Sequence, residues 1–183
     1  MIVIVKRCPW ATKSPQLMIY HDTVWGKPTF DSAKLFKALS LEIMQAGLTF
    51  DTVLKFEDGM DETFKDFSVN YLAKCSDKDI QKFLQNKKVI RNRAKITALI
   101  ENAKIVKSNP NILVNLTWEP VNFTQLDHLL QSAPQTEDYS EFLKKFLGPF
   151  KAKGFARIGK VTLYSYLQAV GVVNDHLLDC DFR

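Results

Sequence analysis

Asp31-Ser32-Ala33-Lys34-Leu35-Phe36-Lys37-Ala38-Leu39-Ser40-Leu41-Glu42-Ile43-Met44-Gln45-Ala46-Gly47 reads as one amphipathic helix. A cap at Asp31 or Ser32 opens it and Gly47 closes it. On a wheel of about 100° per residue, Leu35, Leu39 and Ala46 share a face and Lys34 and Lys37 turn away. Glu42 falls in the middle of the apolar stripe. A carboxylate aimed at a core is costly unless it is paired or lines a cavity. Two readings follow: a structural ion pair or amide cap, or a functional acid in a pocket. Tyr20, Trp25 and Phe50 flank the segment, and aromatic walls with a single acceptor suit a flat, electron-poor ring.

Working outward, a short helix is expected from about Ser14 to Tyr20, and two more through Thr49 to Phe56 and Asp61 to Phe67. Ser68 and Ser76 have the character of helix caps, the latter with Asp79 three residues on. Lys87, Lys88, Arg91, Arg93 and Lys95 lead into a helix with apolar positions Ile96, Leu99, Ile100, Ala103 and Ile105. These cations are either a solvated helix start or phosphate contacts. Asn109-Pro110-Asn111 breaks that helix, and Gln135 to Leu147 resumes as helix. Lys144, Lys145, Lys151, Lys153, Arg157 and Lys160 form a second basic cluster around Gly154-Phe155-Ala156-Arg157-Ile158-Gly159. Two glycines flanking a short turn between helices fit a hairpin whose amides hold a phosphate. The following helix, Val161 to Val170, is apolar nearly all round and belongs inside. Strand signals are limited to residues 2 to 5 and 112 to 116, so the fold class is all-α.

The 183 residues fit one unit with a sizeable core. A 46% apolar and 25% charged composition is that of a globular protein, which excludes disorder. No stretch is long and apolar enough to span a membrane, and the short apolar start precedes Lys6-Arg7, the wrong order for a signal peptide. A cytoplasmic protein is expected. The net charge of +5 favours a polyanionic partner. Three cysteines in a reducing compartment argue against a disulfide framework.

His176 and Cys180 lie at helical spacing and face one way. Cys8 and His21 supply two more ligand types from the other end of the chain. The four would make a closed tetrahedral zinc site of structural role, joining the termini and fixing Tyr20. Neither pair is a CxxC knuckle, so unliganded side chains are the alternative. Cys75 and His128 have no partners at ligand spacing and are taken as structural.

In order along the chain stand Arg7-Cys8 with Trp10, Tyr20-His21-Asp22 with Trp25-Gly26, Asp31-Ser32 followed by Lys34-Leu35-Phe36, Leu41-Glu42 with Gln45-Ala46-Gly47-Leu48, Ile90-Arg91-Asn92-Arg93 with Lys95-Ile96, Gly154-Phe155 with Gly159, and Val173-Asn174-Asp175-His176 with Cys180. Together these blocks resemble the 3-methyladenine DNA glycosylase I family of the helix-hairpin-helix superfamily, over nearly the whole chain. The resemblance implies a helical core over about 30–171, zinc-linked terminal segments over about 1–29 and 172–183, and one structural zinc on Cys8, His21, His176 and Cys180. It implies that Glu42 and Tyr20 hydrogen-bond a flipped base, with Trp25, Phe50 and Trp10 forming the pocket. Gly154, Phe155, Arg157, Gly159 and Lys160 would hold the DNA backbone.

The expected activity is hydrolytic excision of 3-methyladenine from alkylated double-stranded DNA, by a monomer and without strand cleavage. The chain departs from the family at Phe50, where tryptophan is usual, and at Leu17, where tyrosine is common. Gly148-Pro149 is expected to interrupt the helix entering the hairpin, and Lys160-Val161 and Trp118-Glu119-Pro120-Val121-Asn122 also differ. No general base is assigned, and Asp175 is expected to orient His176. The rivals are a non-catalytic binder of damaged or bent DNA and a zinc hydrolase of small molecules.

Overall fold

The computed structural model describes residues 5–183. It is built from helices α1 Pro15–Thr23, α2 Ser32–Gln45, α3 Phe50–Lys55, α4 Glu57–Phe64, α5 Val69–Leu72, α6 Asp77–Gln85, α7 Arg93–Ser108, α8 Ile112–Trp118, α9 Ser140–Ala152 and α10 Lys160–Ala169. Three short 3-10 turns and two parallel two-residue strands, β1 Leu126–Asp127 and β2 Val173–Asn174, complete it.

Local chemistry sets most helix starts. Asp31 Oδ1 accepts from the amides of Ala33 and Lys34 at 2.8 and 3.1 Å, making Asp31 the cap of α2. Ser14, Thr49 and Asn92 cap α1, α3 and α7 through side-chain oxygens. Ser76 and Asp79 form a reciprocal capping box on α6. These caps order helices too short to stand alone in water.

Tertiary packing supplies the rest. α2 runs through the middle of the molecule against α7, α8 and α10. Its Leu35, Phe36, Leu39, Ile43 and Met44 are almost fully buried. Each contributes on the order of 1.5–3 kcal/mol by leaving water. β1 and β2 pair Leu126 with Val173, which ties the approach to α9 to the C-terminal segment.

Several expectations are corrected. Residues 112–116 lie in α8: a short apolar run is ambiguous between strand and helix, and burial of Ile112, Leu113 and Leu116 follows a helical period. The strand expected at residues 2 to 5 falls on residues that, apart from Val5, lie outside the described ones, and Val5 is not in a strand. α2 ends at Gln45, which leaves Ala46 exposed and off the buried face. The helix expected over Asp61–Phe67 spans Glu57–Phe64, and Lys65, Asp66 and Phe67 follow in left-handed conformations. Pro149 does not break α9, which runs on to Ala152. The missing N–H is offset by the full burial of Phe146 and Phe150 on either side. Val161 is exposed at the start of α10, so that helix is not interior along its whole length.

Lys95 departs furthest from expectation. It is only 4% exposed, and its Nζ donates to the carbonyls of Met44 at 2.8 Å and Ala46 at 2.6 Å. Its ammonium therefore closes the C-terminal end of α2, where carbonyls lack helical partners and the helix dipole is negative. Of the other cations in that cluster, Lys88 pairs with Glu62 and Arg93 with Asp77. Lys95→Met keeps the stem and removes both charged hydrogen bonds. It should destabilise the protein by roughly 2–4 kcal/mol, seen as a lower urea midpoint at an unchanged slope; an unchanged midpoint contradicts the assigned role.

Candidate active site and metal centre

A cavity of about 960 Å³ opens between α1, α2, α3 and α10. Trp10, Tyr20, Trp25, Glu42 and Phe50, all singled out in the sequence, line it, and so does Leu17. The Tyr20 and Phe50 rings lie 4.7 Å apart with a 50° tilt, and Trp10 meets Trp25 edge-on at 5.1 Å. Phe50 thus occupies its expected wall position with a smaller face.

Glu42 is 5% exposed, and its buried Oε2 has no hydrogen-bond partner among the described residues. Among the described residues it forms no ion pair, which removes the structural reading. Burial pushes its carboxyl from an ordinary 4.5 up to about 8. Burial, and then Glu42 itself, raises the neighbouring Tyr20 hydroxyl well above its usual value. The pocket therefore offers an uncompensated acid among aromatic faces, a setting that a flat cation would satisfy.

Cys8, His21, His176 and Cys180 converge beside this pocket. All four are buried, their ligand atoms lie within 4.8 Å of one another, and the group is able to hold a metal ion. Cys180 Sγ is 3.5 Å from His21 Nε2 and 3.4 Å from His176 Nδ1, and Cys8 Sγ is 3.8 Å from His176 Nδ1. The outer ring nitrogens are also held. His21 Nδ1 is 2.8 Å from Asp22 Oδ1, and Asp22 is clamped by the Arg7 guanidinium at 2.8 Å. His176 Nε2 is 3.4 Å from the Trp25 carbonyl. Burial first, and then His21, lowers His176 to about 4, which keeps its ring neutral as a ligand must be. Burial pushes the Cys8 thiol up to about 12, a penalty that a bound cation would reverse.

This group buttresses the pocket. Trp25 meets the His176 ring at 4.7 Å and Trp10 meets His21 at 5.2 Å. Gly26 makes the approach feasible: its φ is +75°, and a Cβ there would lie 2.8 Å from His176 Nε2. Asp175 does not orient His176 as expected. It bonds His128, Tyr164 and Gln168, and the Trp25 carbonyl takes the orienting position. The sequence reasoning also missed Asp22, although Tyr20-His21-Asp22 with Arg7 beside Cys8 carried the signal. Cys75 donates to the Tyr71 carbonyl and stays outside the metal group, as expected.

Between α9 and α10, Gly154 and Arg157 adopt positive φ, and Gly159 precedes α10 without a side-chain cap. Arg157, Gly159 and Lys160 are exposed on this turn. The Phe155 side chain is instead buried against Phe150 at 5.2 Å, so only its backbone can face a ligand. Buried Asn102 pins the turn from α7, accepting from the Ala156 amide at 2.7 Å and donating to its carbonyl at 3.2 Å. Nothing in the sequence pattern marked this asparagine.

A family model described as methyladenine glycosylase matches residues 10–183. The chain is 39% identical over 180 residues to the DNA-3-methyladenine glycosylase of Haemophilus influenzae, covering 95% of this chain and 96% of that one. It is 36% identical over 183 residues to DNA-3-methyladenine glycosylase 1 of Escherichia coli, covering 96% of each. The structure of 3-methyladenine DNA glycosylase I from Staphylococcus aureus, described as the basis of 3-methyladenine recognition, superposes with a TM-score of 0.83 at 32% identity, covering 96% of this chain and 95% of that one.

The raised Glu42 value fixes the sign of a pH effect. Between about pH 4.5 and 8 the folded chain holds a proton that the unfolded chain has lost. Stability from this group is therefore full below about 4.5, falls as pH rises towards 8 and is flat beyond it. Glu42→Gln removes that fall, so its melting temperature relative to the native protein should climb with pH across the window. A constant difference would show that Glu42 ionises normally.

Proposed function

The chain belongs to the methyladenine glycosylase family, and on that premise we propose how residues 1–183 work as one monomeric unit on alkylated double-stranded DNA. The activity is excision of 3-methyladenine by hydrolysis of its N-glycosidic bond, leaving the backbone uncut. One observation carries the reading: the buried, partnerless Glu42 oxygen in an aromatic-walled cavity.

Methylation at N3 gives adenine a positive charge and weakens its bond to the sugar. The nucleotide is flipped into the cavity, since the bond is out of reach within the duplex. Tyr20, Trp25, Phe50 and Trp10 offer electron-rich faces to the cation, each favourable contact contributing about 0.5–2 kcal/mol. A cation beside Glu42 favours its carboxylate form, which accepts from the exocyclic amine. Normal adenine brings no charge and leaves the acid protonated, so it gains neither contribution. The C1′–N9 electron pair then departs with the base, which leaves neutral. Water adds to the sugar carbon and gives up a proton. Because the lesion is already a good leaving group, no side chain need protonate it.

The turn between α9 and α10 is assigned to the DNA backbone. Gly159 and Lys160 present amides at the N-terminus of α10, and Arg157 and Lys160 add exposed positive charge. Zinc is the ion assigned to Cys8, His21, His176 and Cys180. Tetrahedral bonds of about 2.3 Å to sulfur and 2.0–2.1 Å to nitrogen imply S···N edges of roughly 3.6 Å. The separations of 3.4, 3.5 and 3.8 Å fit that ion. Four protein ligands leave no position for water, so zinc holds the terminal segments and the Trp10 and Trp25 walls and takes no part in the chemistry.

The test is to incubate the protein with methylated duplex DNA and assay free 3-methyladenine. The native protein should release it, and Glu42→Ala should release it roughly 10- to 100-fold more slowly, the worth of one hydrogen bond to a charged group. Binding of the duplex without release would instead point to a non-catalytic binder. Asp22→Asn should weaken zinc binding by about 10- to 100-fold in competition with a chromophoric chelator; native affinity would contradict the support assigned to Asp22.

A further inference from the structure

Asp175 is a buried carboxylate on the cavity lining that the reaction above leaves unused. It follows β2. Its Oδ1 lies 2.6 Å from His128 Nδ1, and its Oδ2 accepts from the Tyr164 hydroxyl at 2.6 Å and from Gln168 Nε2 at 2.7 Å. Tyr164 and Gln168 are four residues apart on α10, share a face, and both line the cavity. Tyr139 stacks on Tyr164 at 4.9 Å and on His128 at 4.5 Å, so the cluster is held together beyond Asp175 itself.

The donor and acceptor inventory sets the consequence. Asp175 Oδ2 accepts from both Tyr164 and Gln168, so the Gln168 NH₂ is turned towards Asp175 and its Oε1 is the free end of the amide. Without that partner, either end of the amide could face the cavity. The Tyr164 proton is committed in the same way, leaving only its oxygen lone pairs. We propose that Asp175 is a positioning residue for base recognition: it orients Gln168 and Tyr164 so that the α10 wall presents acceptors alone to the bound base. Such a wall receives the amine of a cationic purine and repels the ring-nitrogen acceptors of an unmodified one. The inference rests on the glycosylase assignment and extends its specificity from Glu42 on α2 to a second wall.

Affinity for free 3-methyladenine, read from quenching of tryptophan fluorescence, separates this role from a structural one. Asp175→Asn and Gln168→Ala should each raise Kd by about tenfold, the loss of one hydrogen bond, with melting temperature and metal content as in the native protein. The double variant should be little worse than either single, because both changes remove one arrangement. A native Kd in Gln168→Ala overturns the proposal, as do additive losses in the double variant. Should Asp175→Asn fail to fold or lose its metal, Gln168→Ala decides alone. A native protein that releases no 3-methyladenine from alkylated DNA would sink the glycosylase assignment instead.

Discussion

A carboxyl group kept out of water with no partner among the described residues is the constraint on which the rest of this structure depends. Leaving Glu42 ionised there would cost far more than one hydrogen bond returns. The folded chain meets that cost by retaining the proton up to about pH 8. It also has to keep the group from relaxing towards solvent. α2 does so by burying Leu39 and Ile43 on either side of Glu42 in sequence, capped by Asp31 at one end and held by the Lys95 ammonium at the other. Helix, cap and buried lysine together hold an acid in a place it would otherwise leave.

The same logic extends to the walls. Trp10 and Trp25 come from a segment with little core of its own, and they are steadied by the His21 and His176 rings packed against them. Those imidazoles are fixed in turn by Asp22 with Arg7 and by the Trp25 carbonyl. The Cys8, His21, His176 and Cys180 group therefore bears on the pocket through aromatic contacts. Family membership and this geometry agree: an enzyme whose substrate is already activated needs a shaped, electrostatically tuned pocket more than it needs a strong acid or base.

What could be read from the sequence follows from the range of the physics involved. Caps at Asp31, Ser68 and Ser76 act within a few residues, and their residue types announce them. Glu42 was conspicuous because it broke an apolar stripe, and Cys8, His21, His176 and Cys180 because few side chains make good ligands. The inward turn of Lys95, the grip of Asn102 on the α9–α10 turn and the Asp175 cluster depend on partners 51, 54 and 47 residues away, and nothing local signals them. α8 was missed because a short apolar run has no decisive period, and the continuity of α9 through Pro149 because the phenylalanines flanking it offset the lost hydrogen bond.

Selectivity, on this account, is a comparison of charge states. An empty pocket holding a neutral acid gains from a cationic ring what it cannot gain from a neutral one, and the cost of ionising Glu42 is met only when that ring arrives. The most direct measurement is an NMR titration of the Glu42 side-chain carboxyl carbon in the ligand-free protein, assigned by its absence in Glu42→Gln. The account predicts a midpoint near pH 8; a midpoint near 4.5, the value of an ordinary solvated glutamate, would contradict it.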